Sequence, residues 1–411
     1  MVKIGFNKSK QTKKDTLFYL TLALLPILSL YHFIPALNLG YALALIVICI
    51  KVIKNRFRVP INFKISMLMG IFLGINLIVG ATKYSDFTST LNNSLGMVVF
   101  TVLVILICNP KTLNIDRLYT ACKIVGVIST VFLLYQFAAY YAFDLVAKGN
   151  IPFLYLNDIG FRSIEYGRPT SFFLEPAHYS LYISPIYAMS IIKKEYVVSL
   201  FFLLGLIFST ATTGIVMAII SPIIIVLNYK NRSSFKNIII IIFAIVLIQF
   251  VTAVFFESIL TKISVDNLLS NVRVFGTLYV FDYFGSNEWL FGIGINRMPD
   301  FLGVYTNTMI SNYANSIFFC IISFGLVGGV AFSVYLYSIY KKSPAKYKVM
   351  WFVLILSLMS DQILFNRNLL YLLIWQYATF ESSIEKEKIS RFFKEEVKYE
   401  GTPSNYYNTC L

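Results

Sequence analysis

Apolar runs recur from one end of the chain to the other, broken by short polar turns. A helix needs about 20 mostly apolar residues to cross a bilayer. Runs of that kind fall at 17–35, 37–53, 63–81, 92–109, 119–144, 176–192, 196–210, 212–228, 236–256, 312–340, 347–365 and 368–380. The pattern predicts an all-α polytopic membrane protein with about 12 transmembrane helices. The run at 196–210 is short. The run at 368–380 is too short to cross unaided, and is either tilted inside the bundle or re-entrant. One membrane domain over 1–380 is expected, followed by a charged cytoplasmic tail over 381–411. In that tail Ile384, Ile389, Phe392, Phe393 and Val397 punctuate Glu and Lys, as in a helix lying on a membrane surface.

The connections are unequal. Two of them, 145–175 and 257–311, are much longer than the rest, and long connections in compact bundles tend to carry function. In the second, Val272 to Phe284 alternates apolar and polar groups at near-helical spacing, with Arg273 at its start. Glu288-Trp289-Leu290-Phe291 then suits the membrane interface, and Gly292-Ile293-Gly294 allows a tight turn or close backbone approach.

Composition agrees with the pattern. The chain is 57% hydrophobic and 13% charged, whereas soluble domains carry about a quarter charged residues. The net charge of +15 would suit nucleic acid if it were clustered. Instead the basic residues sit in alternate short loops: Lys51 to Lys64, Lys193-Lys194, Lys230 to Lys236 and Lys341 to Lys348, with more in the tail. Only Lys83, Lys148, Arg162, Arg168, Lys262, Arg273, Arg297 and Arg367 fall on the opposite side. This positive-inside bias puts both termini in the cytoplasm and both long connections outside. Membrane lipid, not nucleic acid, is the partner of such loops. The lysine-rich start runs into Leu17–Ile34 without a small-residue cleavage site, which predicts an uncleaved first span.

Five cysteines lack any CxxC pair, and two histidines are too few for a histidine metal centre. Neither a disulfide framework nor a metal is expected. Gly292-Ile293-Gly294 is no dinucleotide fingerprint without a βαβ unit, so no cofactor is expected.

The densest chemistry lies in Arg168-Pro169-Thr170-Ser171-Phe172-Phe173-Leu174-Glu175-Pro176-Ala177-His178-Tyr179, where the first long connection enters a span. Ionisable groups at membrane depth are costly and usually functional. Proline after Glu175 fits a helix start, with His178 in its first turn. Arg168 either grips an anionic group with its fork of donors or snorkels to headgroups. Glu175 is a candidate general base or a carboxylate stabilised by the helix dipole. His178 is a second candidate base, or a hydrogen-bonded histidine of the bundle. Arg273 either faces Arg168 across a cavity, snorkels to headgroups, or pairs with Asp266 or Asp282. Asn312 and Asn315 either line that cavity with Tyr179, Gly292 and Gly294, or cap a helix. Asp361, Arg367 and Asn368 form another outer polar cluster, most simply with Asp361 and Arg367 as an ion pair.

At these residues the chain resembles the Wzy-type O-antigen and capsule repeat-unit polymerases, which group with the O-antigen ligases. Three stretches carry the resemblance: Arg168 through His178, Arg273 followed by Leu290-Phe291-Gly292-Ile293-Gly294, and Asn315-Ser316 through Phe324-Gly325-Leu326-Val327-Gly328. The resemblance implies a glycosyltransferase of the polytopic C type. It would polymerise oligosaccharide repeat units linked to undecaprenyl pyrophosphate, on the outer face of the bacterial plasma membrane. Arg168 and Arg273 would hold the pyrophosphate, and a chain-length regulator and a flippase would be partners. Ligases of the group have a histidine just ahead of the Asn-Ser pattern, where this chain has Ala314. That departure favours a polymerase over a ligase and leaves Glu175 or His178 as the base. A flippase of the same lipid-linked sugars is the competing class, although the middles of the spans are almost free of charge.

Overall fold

The computed structural model describes residues 13–34, 37–54, 63–109, 113–154, 162–228, 278–305 and 314–380. Over these residues the chain is an α-helical bundle. The helices are α1 (Lys13–Leu28), α2 (Leu39–Lys54), α3 (Phe63–Lys83), α4 (Phe87–Ile107), α5 (Ile115–Phe143), α6 (Arg162–Glu165), α7 (Pro176–Ile192), α8 (Tyr196–Phe208), α9 (Thr212–Asn228), α10 (Ser286–Phe291), α11 (Met298–Leu302), α12 (Ser316–Lys342) and α13 (Lys348–Ser360), and α14 over 367–380. Among the described residues the only strand pairing is a short antiparallel one, β1 (His32–Ile34) with β2 (Leu37–Asn38).

A helix occupies each predicted span that falls on described residues; 236–256 lies outside them, as does the tail 381–411. Lys64–Lys83, Phe87–Ile107, Ile115–Phe143 and Ser316–Lys342 are long and apolar enough to cross a membrane, while several others are shorter apolar helices. Local signals set the helix ends. The Asp86 carboxylate accepts from the Thr88 and Ser89 amides at the start of α4, and Asn114 does the same for Asp116 and Arg117 at α5. Asp144, at φ 52°, ends α5 in the left-handed region.

The outward faces are as apolar as the core. Leu91, Leu95, Val98 and Val102 run down one face of α4, and Ile124, Ile128, Val131 and Tyr135 down one face of α5, all exposed. Contiguous exposed stripes of this kind suit hydrocarbon, not water.

At the centre stands α7, whose residues Tyr179 to Ser190 are buried throughout against α5, α8, α9 and α13. Tyr182 on α7 stacks on Tyr371 of α14 with ring centroids 4.9 Å apart. The Tyr371 hydroxyl donates to the Tyr182 carbonyl at 3.1 Å. Both helices start at the end of the bundle that holds Asp361. His178 on the first turn of α7 contacts that residue, and α14 runs from there to Gln376, which donates to Ser343 at the far end of α12. They are therefore parallel neighbours.

Helix α12 is broken at Gly325, with φ 64° and ψ −166°. The loop after α10 packs into the break. Ile293 N–H donates to the Ile322 carbonyl at 2.9 Å and Gly294 N–H to the Ser323 carbonyl at 3.0 Å, which satisfies carbonyls that the broken ladder releases. The same segment is tied to α3 and α4. Lys83 pairs with Glu288, Tyr84 donates to the Ile293 carbonyl at 2.9 Å, and Ile295 N–H donates to Asn76 Oδ1 at 2.8 Å.

The opposite end of the bundle has its own ion pairs. Glu195, between α7 and α8, accepts from the Tyr119 hydroxyl at 2.8 Å and Lys123 at 2.9 Å, and Lys193 pairs with Asp116. Burial acts to raise the Glu195 pKa, but the hydrogen bonds from Lys123 and Tyr119 and the lysine charges hold it below the ordinary value.

Candidate functional site

The site is built where α7, α12 and α14 begin and α13 ends. Glu175 is the N-cap residue of α7, in extended conformation at φ −133° and ψ 150°, and Pro176 takes the first helical position. Its carbonyl accepts from the His178 and Tyr179 amides at 3.1 and 3.3 Å, while its carboxylate makes no capping bond. His178 therefore sits on the first turn. Its Nε2 lies 3.2 Å from Oδ2 of Asp361, and both side chains are largely buried.

Asp361 is held in place from several directions. It ends α13 in extended conformation. Its Oδ1 accepts from Gln362 N–H at 2.8 Å. Its carbonyl accepts from Ser316 N–H at 3.1 Å and Ser316 Oγ–H at 2.7 Å, and Ser316 Oγ in turn accepts from Ile363 N–H at 2.8 Å. Asn315 caps α12 by accepting from Ile317 and Phe318 N–H at 3.1 and 3.0 Å. The Asn-Ser pattern thus starts a helix with one residue and clamps Asp361 with the next. The approach of His178 to Asp361 is within ion-pair distance but lacks hydrogen-bond geometry. A carboxylate this close to one ring nitrogen favours a proton on it, which leaves Nδ1 as the acceptor; Nδ1 is buried and has no hydrogen-bond partner among the described residues. Such an arrangement can take a proton from a hydroxyl placed against Nδ1.

The loop ahead of α7 is held from α5. Gln136, fully buried, accepts from Thr170 and Ser171 N–H at 3.1 and 2.6 Å and donates to the Ala147 carbonyl at 2.8 Å. Ser171, at φ 56°, also donates its hydroxyl to the Ser129 carbonyl at 2.6 Å. These bonds fix the approach to Glu175.

The predicted residues separate in the structure. Glu175 and His178 share the start of α7. Arg168 stands on the loop before it with an exposed side chain. Arg273 and Asn312 lie outside the described residues. Three expected lining residues have structural contacts of their own. Tyr179 is fully buried and shares a hydrogen bond of 2.8 Å with Thr130, so it packs within the bundle. Gly292, at φ 73°, would put a Cβ 2.5 Å from the Phe324 nitrogen, so it serves the crossing of two backbones. Gly294, at φ 87°, is buried and bonded to Ser323 in the same crossing. Asn315 is engaged as a helix cap. Asp361, expected to pair with Arg367, meets His178 instead.

Sequence reasoning passed over Gln136, and named Ser316 and Arg297 without the contacts they make. Arg297 is 5% exposed. It donates to the Asp86 carbonyl at 2.6 Å and Thr90 Oγ1 at 2.8 Å, pairs with Asp300 at 2.6 Å, and lies 4.6 Å from the Tyr84 ring centroid. It staples the 278–305 segment to α4 and is not open to a ligand. Burial raises the Tyr84 pKa, which the Arg297 charge opposes. A polar residue inside an apolar run, as Gln136 is, was the available signal for the first of these.

No family model matches the chain, and no curated protein sequence matches it.

Proposed function

We propose that this protein is a membrane glycosyltransferase that polymerises oligosaccharide repeat units carried on undecaprenyl pyrophosphate, in the outer leaflet of the bacterial plasma membrane. The observation that carries the proposal is the His178–Asp361 pair, with its unpartnered Nδ1, at the meeting point of three helix starts. In this reading the chain has about 12 spans in a glycosyltransferase C-type arrangement, with both termini cytoplasmic and the site facing outward. The basic turns at Lys193-Lys194 and Lys341 to Lys348 lie at the other end.

The lipid pyrophosphate is already a good leaving group, so the enzyme needs to place two substrates, take one proton and stabilise one developing charge. His178 Nδ1 takes the proton as the acceptor hydroxyl attacks the anomeric carbon of the donor. The bond from that carbon to the pyrophosphate oxygen breaks, and undecaprenyl pyrophosphate leaves with the electron pair. Asp361 orients the imidazole. Arg168, exposed on the loop ahead, is placed to draw in the anionic donor. Glu175, beside His178 on the chain, is the alternative base.

Reconstitution tests the reading. Purified protein in detergent receives lipid-pyrophosphate-linked repeat unit, chelator and no nucleotide sugar. A ladder of products spaced by one repeat is the expected result. Transfer only to a different acceptor would make the protein a ligase. In a parallel sample reconstituted in vesicles, movement of the substrate between leaflets without a change in length would make it a flippase, and either result rejects the polymerase.

A further inference from the structure

Once Asp361 is engaged by His178, Arg367 is left without the partner the sequence suggested for it. Arg367 is half-buried, and no carboxylate among the described residues pairs with it. Its hydrogen bond is a long one, from Nη1 to the Ser29 carbonyl at 3.4 Å, and its titratable neighbour is the Tyr41 phenol. A half-buried cation so poorly compensated is costly.

The surroundings add to the imbalance. Asn366 caps α14 by accepting from Asn368 and Leu369 N–H at 2.8 and 3.3 Å, which puts Arg367 on the first turn. Tyr41 stands on the first turn of α2, where its N–H donates to Asn38 at 2.8 Å. Two helix starts, each carrying partial positive charge, therefore flank a positive side chain. Two buried donors there have no hydrogen-bond partner: Ser29 Oγ, on the residue whose carbonyl the guanidinium touches, and Asn368 Nδ2. Ser29 is 1% and Asn368 4% exposed. Ser29 Oγ lies against the Gly40 backbone at the start of α2, and a guanidinium with no carboxylate partner at two helix starts is the complement of an oxyanion.

The position relates to the site already described. Arg367 is one turn ahead of Tyr371 on α14, and His178 one turn ahead of Tyr182 on α7. Those two tyrosines stack on parallel helices, so Arg367 and His178 stand at the same level, on axes about 8–10 Å apart.

We infer that Arg367, Ser29 and Asn368 form a diphosphate-binding site beside the His178–Asp361 pair. The assignment rests on the reading of the protein as a lipid-diphosphate glycosyltransferase, and it gives the charge of the leaving group to Arg367 at depth. Arg168 then acts earlier, at the surface.

The test is binding, read apart from turnover. Melting of the full chain in detergent is followed against inorganic pyrophosphate, farnesyl diphosphate and, separately, phosphatidylglycerol. Saturable stabilisation by both diphosphates is expected. Arg367→Gln should weaken it by roughly tenfold or more, with Arg367→Lys intermediate. Ser29→Ala, which removes a hydroxyl without an internal partner, covers the case in which Arg367→Gln does not fold, and should also weaken binding. Equal binding by wild type and the Arg367 and Ser29 variants, no binding of either diphosphate by wild type, or stabilisation by phosphatidylglycerol alone would each overturn the site. Binding that depends on Arg367 in a protein that makes no polymer would keep the site and reject the reaction. Polymer from wild type with binding unaffected by the variants would do the reverse.

Discussion

His178 and Asp361 meet at 3.2 Å from helices that lie far apart in the chain. One is presented by a proline-started first turn, and the other by the extended end of α13 clamped on Ser316. Each residue's backbone is held independently of the other. In the proposed reaction that would preorganise the two side chains as an acid–base pair.

The pair gives the first prediction. His178→Gln keeps the side chain's polarity but removes the base, and polymer formation should slow by roughly a hundred- to ten-thousandfold. Asp361→Asn should lower kcat by less and leave KM nearly unchanged, because it disturbs the ring's proton and orientation and not substrate contacts. Glu175→Gln should leave most of the activity. Initial rates of ladder formation decide this. A dead Glu175→Gln beside an active His178→Gln would move the base to Glu175.

Helix positions were legible because apolar runs, Asn and Asp caps and the Pro176 start are local signals, and they recur where the helices lie. The start of α7, with Glu175 as its cap and His178 on its first turn, was legible for the same reason. The partners were not. Asp361 was matched to Arg367, its neighbour in sequence, since nothing in a linear chain reports that α13 ends against α7. Tyr179 and Gly292 looked like a lining because polar and glycine positions near a loop read alike whether they face a ligand or another backbone. Arg273 and Asn312 fall outside the described residues, so their roles stay proposals.

The crossing at the α12 break gives the second prediction. A Cβ on Gly325 would come 2.3 Å from the Leu290 carbonyl carbon, at a backbone φ of 64°. Gly325→Ala should cost about 3 kcal/mol or more and detach the 290–294 segment. Gly96, on α4, has nothing within 4 Å of the same added atom, so Gly96→Ala should be neutral or slightly stabilising. Thermal melting of the two variants side by side checks the contrast; equal melting temperatures would show that the crossing is not needed.

The loop ahead of α7 depends on Gln136. Gln136→Leu fits an apolar helix but strands two buried amides, of Thr170 and Ser171, at about 1–3 kcal/mol each. Limited proteolysis should cut within 162–175 faster than in wild type, with the remaining helices still protected. An unchanged pattern would mean that the Ser171–Ser129 bond alone holds the loop.

Glu288 gives a pH prediction. Burial acts to raise its pKa, but the hydrogen bond and charge of Lys83 and nearby backbone amides hold it below the ordinary 4.5. A depressed carboxylate adds stability above its unfolded value, and that stability is lost as pH falls through the folded value. The 278–305 segment should therefore loosen from α3 as pH drops below about 4.5, while remaining docked at neutral pH. Hydrogen exchange of that segment should show the acid step in wild type. In Glu288→Gln the step should be smaller and protection at neutral pH lower. An identical step in both would assign it elsewhere.

Orientation can be read from the two unlike ends of the bundle. One end carries the His178–Asp361 pair, Arg168 and the Lys148–Glu165 pair. The other carries the Glu195 network and the basic turn from Lys341 to Lys348. In the proposed orientation the positive-inside bias would put the second end in the cytoplasm. Cys108, Cys122 and Cys320 are buried and Cys49 is exposed, so Cys49→Ser with Cys410→Ser gives a background for single new cysteines. Lys148→Cys should react in intact cells with a membrane-impermeant maleimide, and Lys346→Cys only after the cells are opened. The reverse order would put the site in the cytoplasm. No outer-leaflet sugar polymerase could then work there, while a protein acting on the inner leaflet could, which makes orientation the measurement that most directly limits the proposed reaction.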